Sequence, residues 1–406
     1  MKILGTVERN KEKKNTKENI IIKGWKQYSG IILKSVLTVL LVALVIVVIY
    51  NIIVHGAYDS YEVVEETGVK NASMIDYVDY QDSLLKYSKD GAVYVDEKGE
   101  AVWNETFVMK MPKADVCGDY VAVADLNGND VYIFDTEGKV SSTTLPYKVC
   151  DIAVASQGTF AVILECDKEN FINLYDKNGD QISEIQTTID KSGYPMDMDL
   201  SEDGEKLFST YLSLDGANVK NGLAAYNFGP VGQSENADRM MGGYQLEDTI
   251  IPKVEFLDNN TICAFGDDRF VIYSMREKPS EKANIAFDQE VKSVVFNSSY
   301  IGAVVPNQNE KDDAPYVLEL YNTNGRKVMT EKIDFDYKKV RMSNNEIIFT
   351  GGAETRVYSV KGNLKFSYAF AKNVVDLIPT GYSRRYIVLY DSGSEVIKLT
   401  HDNKKE

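Results

Sequence analysis

Two histidines, His55 and His401, are all that the 406 residues contain. The chain therefore has little material for a Ser-His-Asp or Cys-His nucleophile, a histidine-bound zinc or a histidine general base. Cysteine is equally thin. Cys117, Cys150, Cys166 and Cys263 are spaced too irregularly for a zinc motif or a small disulfide framework. Each lies in or beside an apolar segment, where cysteine serves as a small hydrophobe, and Cys117 with Cys150 is the first pair to test for a bond. No GxxxxGK[ST] loop and no strand-linked dinucleotide fingerprint occurs. With 61 Asp and Glu, a chance carboxylate pair is certain and carries no argument by itself. Catalytic residues, cofactors and metal ligands are accordingly left unassigned.

Positive charge is missing from most of the chain. Met1 to Lys34 holds nine Lys or Arg against three Glu, a net of +6, while the whole chain stands at −16, so residues 35–406 carry −22. That balance argues against nucleic acid as a partner and against docking of the bulk of the chain on anionic lipid. Between the two signs lies VLTVLLVALVIVVIYNIIV, residues 36–54, without a charge. The pattern predicts a basic, disordered cytoplasmic tail over 1–30, a membrane-spanning helix over 31–54 and an acidic tether over 55–71. The long basic leader, the long apolar run and His55 before Tyr58 favour an uncleaved anchor over a cleaved signal peptide, placing the remainder outside the cell.

What the chain has in quantity is a repeat. VYVDEKG, YIFDTEG, NLYDKNG, AAYNFGP, VIYSMRE, ELYNTNG, RVYSVKG and IKLTHDN align Asp96, Asp135, Asp176, Asn227, Ser274, Asn322, Ser359 and Thr400 in one column. An apolar residue precedes each, and a glycine stands three residues later in five cases: Gly99, Gly138, Gly179, Gly325 and Gly362. Strand, oxygen-bearing cap, then glycine is a hairpin signature. The intervals are 39, 41, 51, 47, 48, 37 and 41 residues, the length of a four-stranded propeller blade. An all-β, eight-bladed β-propeller over 72–403 follows, with a seven-bladed ring plus an irregular sheet as the alternative. The last repeat has three strands only. SYEVVEE, upstream of the first repeat, is the expected donor of the fourth, paired with EVIKLT to close the ring.

DLSEDGEKL, Asp199 to Leu207, resembles the S-x-D-G-x-x-L turn between the first two strands of TolB-like propeller blades. VYVDEKGEAVW resembles the repeat of quinoprotein-like propellers, although the Asp-to-Gly interval is one residue shorter and Trp103 has no counterpart in the other repeats. In layout the chain resembles an uncharacterised family of membrane-anchored propellers of Gram-positive, clostridia-like bacteria. The resemblance implies the fold and its turns; it brings no reaction and no quinone cofactor.

DLNGND, residues 125–130, and DKNGD, residues 176–180, imitate calcium loops but lack the closing glutamate and fall at hairpin turns, which favours plain turns. Loop length is the remaining guide to function. Ser213 to Gly222 and Val305 to Pro315, read as loops between second and third strands, and Phe228 to Asp248, read as a blade-to-blade connection, are expected to project together from one face. Within them Arg239, Met240, Met241 and Tyr244, with Asn307, Asn309, Lys311 and Asp312, are the candidate partner-binding residues. The rival reading folds the long loop back and buries the methionine pair. The expected function is a membrane-anchored, extracytoplasmic module binding a protein or cell-envelope ligand. The alternative is a carbohydrate-active hydrolase or lyase using acidic residues in the funnel.

Overall fold

The computed structural model describes residues 57–401 except 68–75, 82, 97–99, 168, 217, 310, 312 and 392, together with residues 34, 37–42, 44 and 45. Residues 1–56 and 57–406 form two separate units. In the first, the described residues are helical, and the Thr38 hydroxyl donates to the Lys34 carbonyl at 2.9 Å. Among the described residues no helix is long and apolar enough to cross a membrane. Most of the predicted 31–54 span and the whole 1–30 tail lie outside those residues.

The second unit is eight antiparallel sheets of four strands each. Blade 1, for example, comprises Asp76–Tyr80, Ser83–Ser88, Gly91–Val95 and Ala101–Thr106 in spatial order. Six further blades repeat that meander through Leu364–Ala369. Blade 8 takes Val374–Pro379, Arg385–Tyr390 and Gly393–Thr400 from the C-terminal end and Ser60–Thr67 as its outermost strand. The ring therefore has eight blades, and SYEVVEE closes it as expected: Tyr61 lies opposite Leu399 and Val63 opposite Ile397. The first strands of most consecutive blades lie side by side around the axis.

The turn chemistry of the column is visible in its hydrogen bonds. Asp135 Oδ1 accepts from Glu137 and Gly138, Asp176 Oδ1 from Asn178 and Asp180, and Asn322 Oδ1 from Asn324 and Arg326. Gly179, Gly325 and Gly362 follow at φ of 91°, 75° and 84°, where a side chain would be strained. A β-bulge recurs between the two residues before each column position, for instance between Leu174 and Tyr175 and between Val357 and Tyr358. In blade 8 the matching shift falls between Val396 and Ile397 on the third strand. The eighth column residue is thus Lys398, not Thr400. The cause is topological: the fourth strand of blade 8 arrives from the other end of the chain, so no turn follows and no cap is needed.

Each blade buries both faces, and the core divides into eight apolar clusters, one per interface between neighbouring blades. Of the residues expected between blades, Val95, Val121, Val123, Val131, Ile133, Ile172, Leu174, Val271 and Val357 are buried, while Val93 and Val317 are partly covered. All four cysteines are free thiols. Cys117 packs on the interface of blades 2 and 3 and Cys150 on that of blades 3 and 4, so the two face different seams.

Candidate functional site

The ring geometry sorts the turns into two ends. Turns between first and second strands, and between third and fourth, lie at one end; second-to-third turns and blade-to-blade connections lie at the other. This placement corrects the expected cluster of loops. Ser213 to Gly222 is no free loop: Lys206–Asp215 and Asn218–Asn227 extend as one long hairpin, with Ser213 opposite Lys220 and Asp215 opposite Asn218. Phe228 to Asp248 contains a short helix, Pro230–Glu235, and then the fourth strand of blade 4, Met240–Glu247. Its excursion is a third-to-fourth turn, at the end of the ring opposite Val305 to Pro315.

The two groups of candidate residues are therefore apart. Met241 is buried in the interface of blades 4 and 5, and Met240 packs against that of blades 3 and 4. The Tyr244 ring lies 4.6 Å from that of Tyr273, and its hydroxyl donates to the Pro279 carbonyl at 2.8 Å. Arg239 takes a left-handed turn, φ 63°, and its carbonyl accepts from Asn227 N–H. At the other end, Asn307 holds the base of its loop by donating to the Ala314 carbonyl at 2.8 Å, and its Oδ1 accepts from Asn309 N–H at 3.0 Å. The Asn309 Oδ1 in turn accepts from the N–H of exposed Lys311 at 3.3 Å. Asp312 lies outside the described residues. Asn307 and Asn309 do line a cavity of about 450 Å³ between blades 5 and 6, together with Phe287, Glu319, Tyr321 and Lys327. Glu319 spans its floor, accepting from Tyr321 at 2.5 Å and pairing with Lys327 at 2.6 Å.

The axis carries a feature that the candidate residues did not include. Each first strand offers a residue opposite the same register of its second strand, and in most blades that residue is charged: Asp76, Lys113, Asp151, Asp197, Lys253, Lys339 and Asp376, with Ser293 in blade 6. A second level two residues on adds Asp115, Asp199, Glu255 and Arg341. In blades 3, 4 and 8 a β-bulge immediately precedes the aspartate. Neighbouring blades are tied through these groups. Lys113 pairs with Asp151, and Lys339 reaches Asp376 at 2.6 Å, each bond running from one blade to the next. Arg341 joins Asp376 at 3.0 Å and also pairs with Asp79 of blade 1. Backbone is stitched in the same direction: Asp115 accepts from Val154 N–H at 2.7 Å, Asp197 from Val254 at 2.8 Å and Asp199 from Phe256 at 2.6 Å.

At the end bearing the first-to-second turns the channel opens into a cavity of about 270 Å³ lined by Asp115, Asp199, Glu202, Glu255 and Asp258, with Cys117. Glu202 and Asp258 stand exposed at the rim; Asp115, Asp199 and Glu255 lie deeper. Removal from bulk water pushes Asp115 up to about 7 against the opposing pull of the Val154 N–H. Burial first, and the charge of Glu255 second, hold Asp199 well above the usual carboxylate range. Asp197, above the cavity, rises to about 8 through burial and the neighbouring Asp151. The Cys117 thiol is pushed up to about 12 by burial and by the surrounding carboxylates. Burial alone would lower Lys113, but the Asp151 carboxylate outweighs it and holds the ammonium above its ordinary value. Among the described residues no three of His, Cys, Asp or Glu come close enough to hold a metal ion. The two calcium-like segments are turns: Asp125 accepts from Lys110 and Met111 N–H, as Asp176 does within its own hairpin.

Comparison with solved structures places this fold among known propellers. Saccharomyces cerevisiae Sqt1 matches with a TM-score of 0.54 at 12% identity, over 85% of this chain and 100% of that one. Chaetomium thermophilum Sqt1, bound to the N-terminus of the ribosomal protein L10, gives 0.50 at 10% identity, over 80% and 92%. The Neurospora crassa Pan2 WD40 domain gives 0.43 at 10% identity, over 72% and 89%. At identities this low the two Sqt1 matches establish the fold and nothing finer, and a comparison with curated protein sequences found no match. A family description does match, over residues 54–399, and the chain belongs to that family: the family of unknown function DUF5711.

Proposed function

We propose that this DUF5711 protein is a non-catalytic binding module that takes a cationic segment of a protein partner into the acidic mouth of its channel. One observation carries the reading: five carboxylates from blades 2, 4 and 5 line a single cavity of about 270 Å³ with no lysine or arginine among its described walls. Water-poor carboxyls with raised affinity for protons gain most from a cation that arrives with its own hydrogen-bond donors. The closed ring supplies the rigidity such a pocket needs, and propellers of the same shape include one solved with a peptide segment of another protein bound. The uncharged run over 31–54, with lysines before it and Asp59, Glu62, Glu65 and Glu66 after it, supports presentation outside the cell on a single membrane anchor, to a protein or cell-envelope ligand.

Hexalysine is a direct probe. It should bind the full chain in detergent at low salt, weaken as salt is raised, and lose at least tenfold in affinity with Glu202→Lys plus Asp258→Lys. Both rim residues are exposed, so the fold should survive. Equal binding by parent and variant would sink the proposal. The carbohydrate-active alternative rests on the same raised carboxyls, which resemble an acid held protonated near neutral pH. Against it, Asp115 and Asp199 are engaged in stitching blades together. Turnover of a glycan panel, abolished by Asp115→Asn, would revive it.

A further inference from the structure

Lys86 is the least expected side chain in the propeller. It sits on the second strand of blade 1, only 5% exposed, directly opposite Tyr77 on the first strand and Val93 on the third. Val93 in turn faces Asn104 on the fourth. This row lies on the face turned towards blade 8, where Leu84 and Val95 meet Ile378, Ile387, Leu389 and Val396. Among the described residues Lys86 makes no hydrogen bond and no ion pair. The other buried lysine, Lys206, donates to the Asn259 carbonyl at 2.8 Å, and the half-buried Lys113, Lys253 and Lys365 pair with carboxylates. Burial lowers its ammonium to about 8, the opposite of Lys113 and Lys253, whose carboxylate partners raise them.

A buried cation without a counter-ion costs several kcal/mol and persists where something else recovers the cost. Here the space to do so is present. Lys86 lines a cavity of about 280 Å³ with Tyr87, Ser88, Gly91, Val93 and Asn104, and with Asp90 as the one acidic residue on its described walls. Asp90 is exposed and forms no ion pair with Lys86. The cavity thus combines an apolar floor at Val93, amide and hydroxyl groups at Asn104 and Ser88, and one unmatched positive charge. Its size suits a small molecule.

We propose that this cavity binds a monocarboxylate with a short apolar body, its carboxylate completing the ion pair that Lys86 lacks and its hydrocarbon lying along Val93. This site is independent of the acidic channel mouth, in a different blade and of opposite charge preference. Hexanoate is the probe, with hexanol as its neutral counterpart, titrated calorimetrically into the full chain in detergent. Hexanoate should bind at pH 6.5 and lose about tenfold in affinity for each pH unit above about 8, as the free lysine gives up its proton. Hexanol should show no such dependence. Lys86→Met, which keeps the stem and removes the charge, should abolish hexanoate binding while melting no lower than the parent. Val93→Glu, placing a carboxylate opposite Lys86, should also block hexanoate and serves if the methionine variant misfolds. Equal hexanoate affinity in parent and variants, or no binding up to about 10 mM, overturns the proposal.

Discussion

The interface between blades 3 and 4 and the seam between blades 8 and 1 are built to the same plan and filled differently. The former buries thirteen apolar residues, among them Met198, Leu207, Tyr211 and Tyr226. The seam buries six, with Tyr77 and Val93 half-covered beside them, and it contains the unpaired Lys86. Blades that follow one another in sequence are held by the chain as well as by packing. Blades 8 and 1 are joined instead through the outermost strand of blade 8, borrowed from the other end of the propeller. The ring is thus held at its thinnest point by backbone pairing more than by hydrophobic burial, and that difference can be broken from either side.

Removing the closing strand should have the largest effect. Deleting Tyr58 to Thr67 strips the Gly393–Thr400 edge of its partner, takes the Tyr61 ring from between Tyr368 and Phe370, and loses the hydrogen bond from Tyr58 N–H to the Lys365 carbonyl at 2.8 Å. The expected outcome is loss of a cooperative thermal transition by circular dichroism. A variant that melts like the parent would show that packing alone closes the ring. Next in size, Phe160→Ala in the filled interface of blades 2 and 3 should cost about 3–5 kcal/mol, and Leu389→Ala in the seam about 2–3 kcal/mol. The two should differ in reach. Hydrogen exchange should speed throughout the domain for Phe160→Ala but chiefly in blade 8 and the closing strand for Leu389→Ala.

The acidic end of the axis predicts a pH dependence of known sign. Asp115 and Asp197 titrate in the folded ring at about 7 and about 8, far above the ordinary carboxylate value near 3.8. Between pH 4 and pH 8 the folded state therefore binds more protons than the unfolded one, and stability falls as pH rises through that window. Asp115→Asn should flatten the slope and raise the stability at pH 8 by about 1–2 kcal/mol after discounting for the water that reaches the channel. A stability that rises from pH 5 to pH 8 would show these carboxyls to be ionised and matched by cations throughout.

Much of this ring can be read from the chain because its repeat is local. Strand, cap and glycine lie within seven residues, so blade number, turn positions and the donor of the closing strand follow without three-dimensional knowledge. The departures are where local reading meets a non-local cause. Met-Met-Gly-Gly-Tyr looks like a loop, yet Gly243 is a strand residue whose missing side chain admits the Leu223 carbonyl, 2.5 Å from where a Cβ would stand. The channel charges stand one or two to a blade in every blade but the sixth, across some 300 residues, and only closure of the ring assembles them. A signal was available: KADVC, CDIAV, MDMDL, KVEFL, KVRMS and VDLIP place charge at matching steps of successive first strands.

The smallest expected effect tests why the eighth column residue differs. In seven blades the column precedes the connection to the fourth strand, and in blade 3 Asp176 accepts two backbone N–H groups across it, which holds its carboxyl below the usual range. Asp176→Ala removes both and should cost about 1 kcal/mol. Lys398 occupies the same register in blade 8 but precedes no turn, because Ser60–Thr67 enters from the far end of the chain. Lys398→Ala should then fall within about 0.5 kcal/mol of the parent in urea denaturation, the range of ordinary surface changes. A loss at Lys398 equal to that at Asp176 would mean that the column marks strand pairing and not the turn, and the reason given for its chemistry would fail.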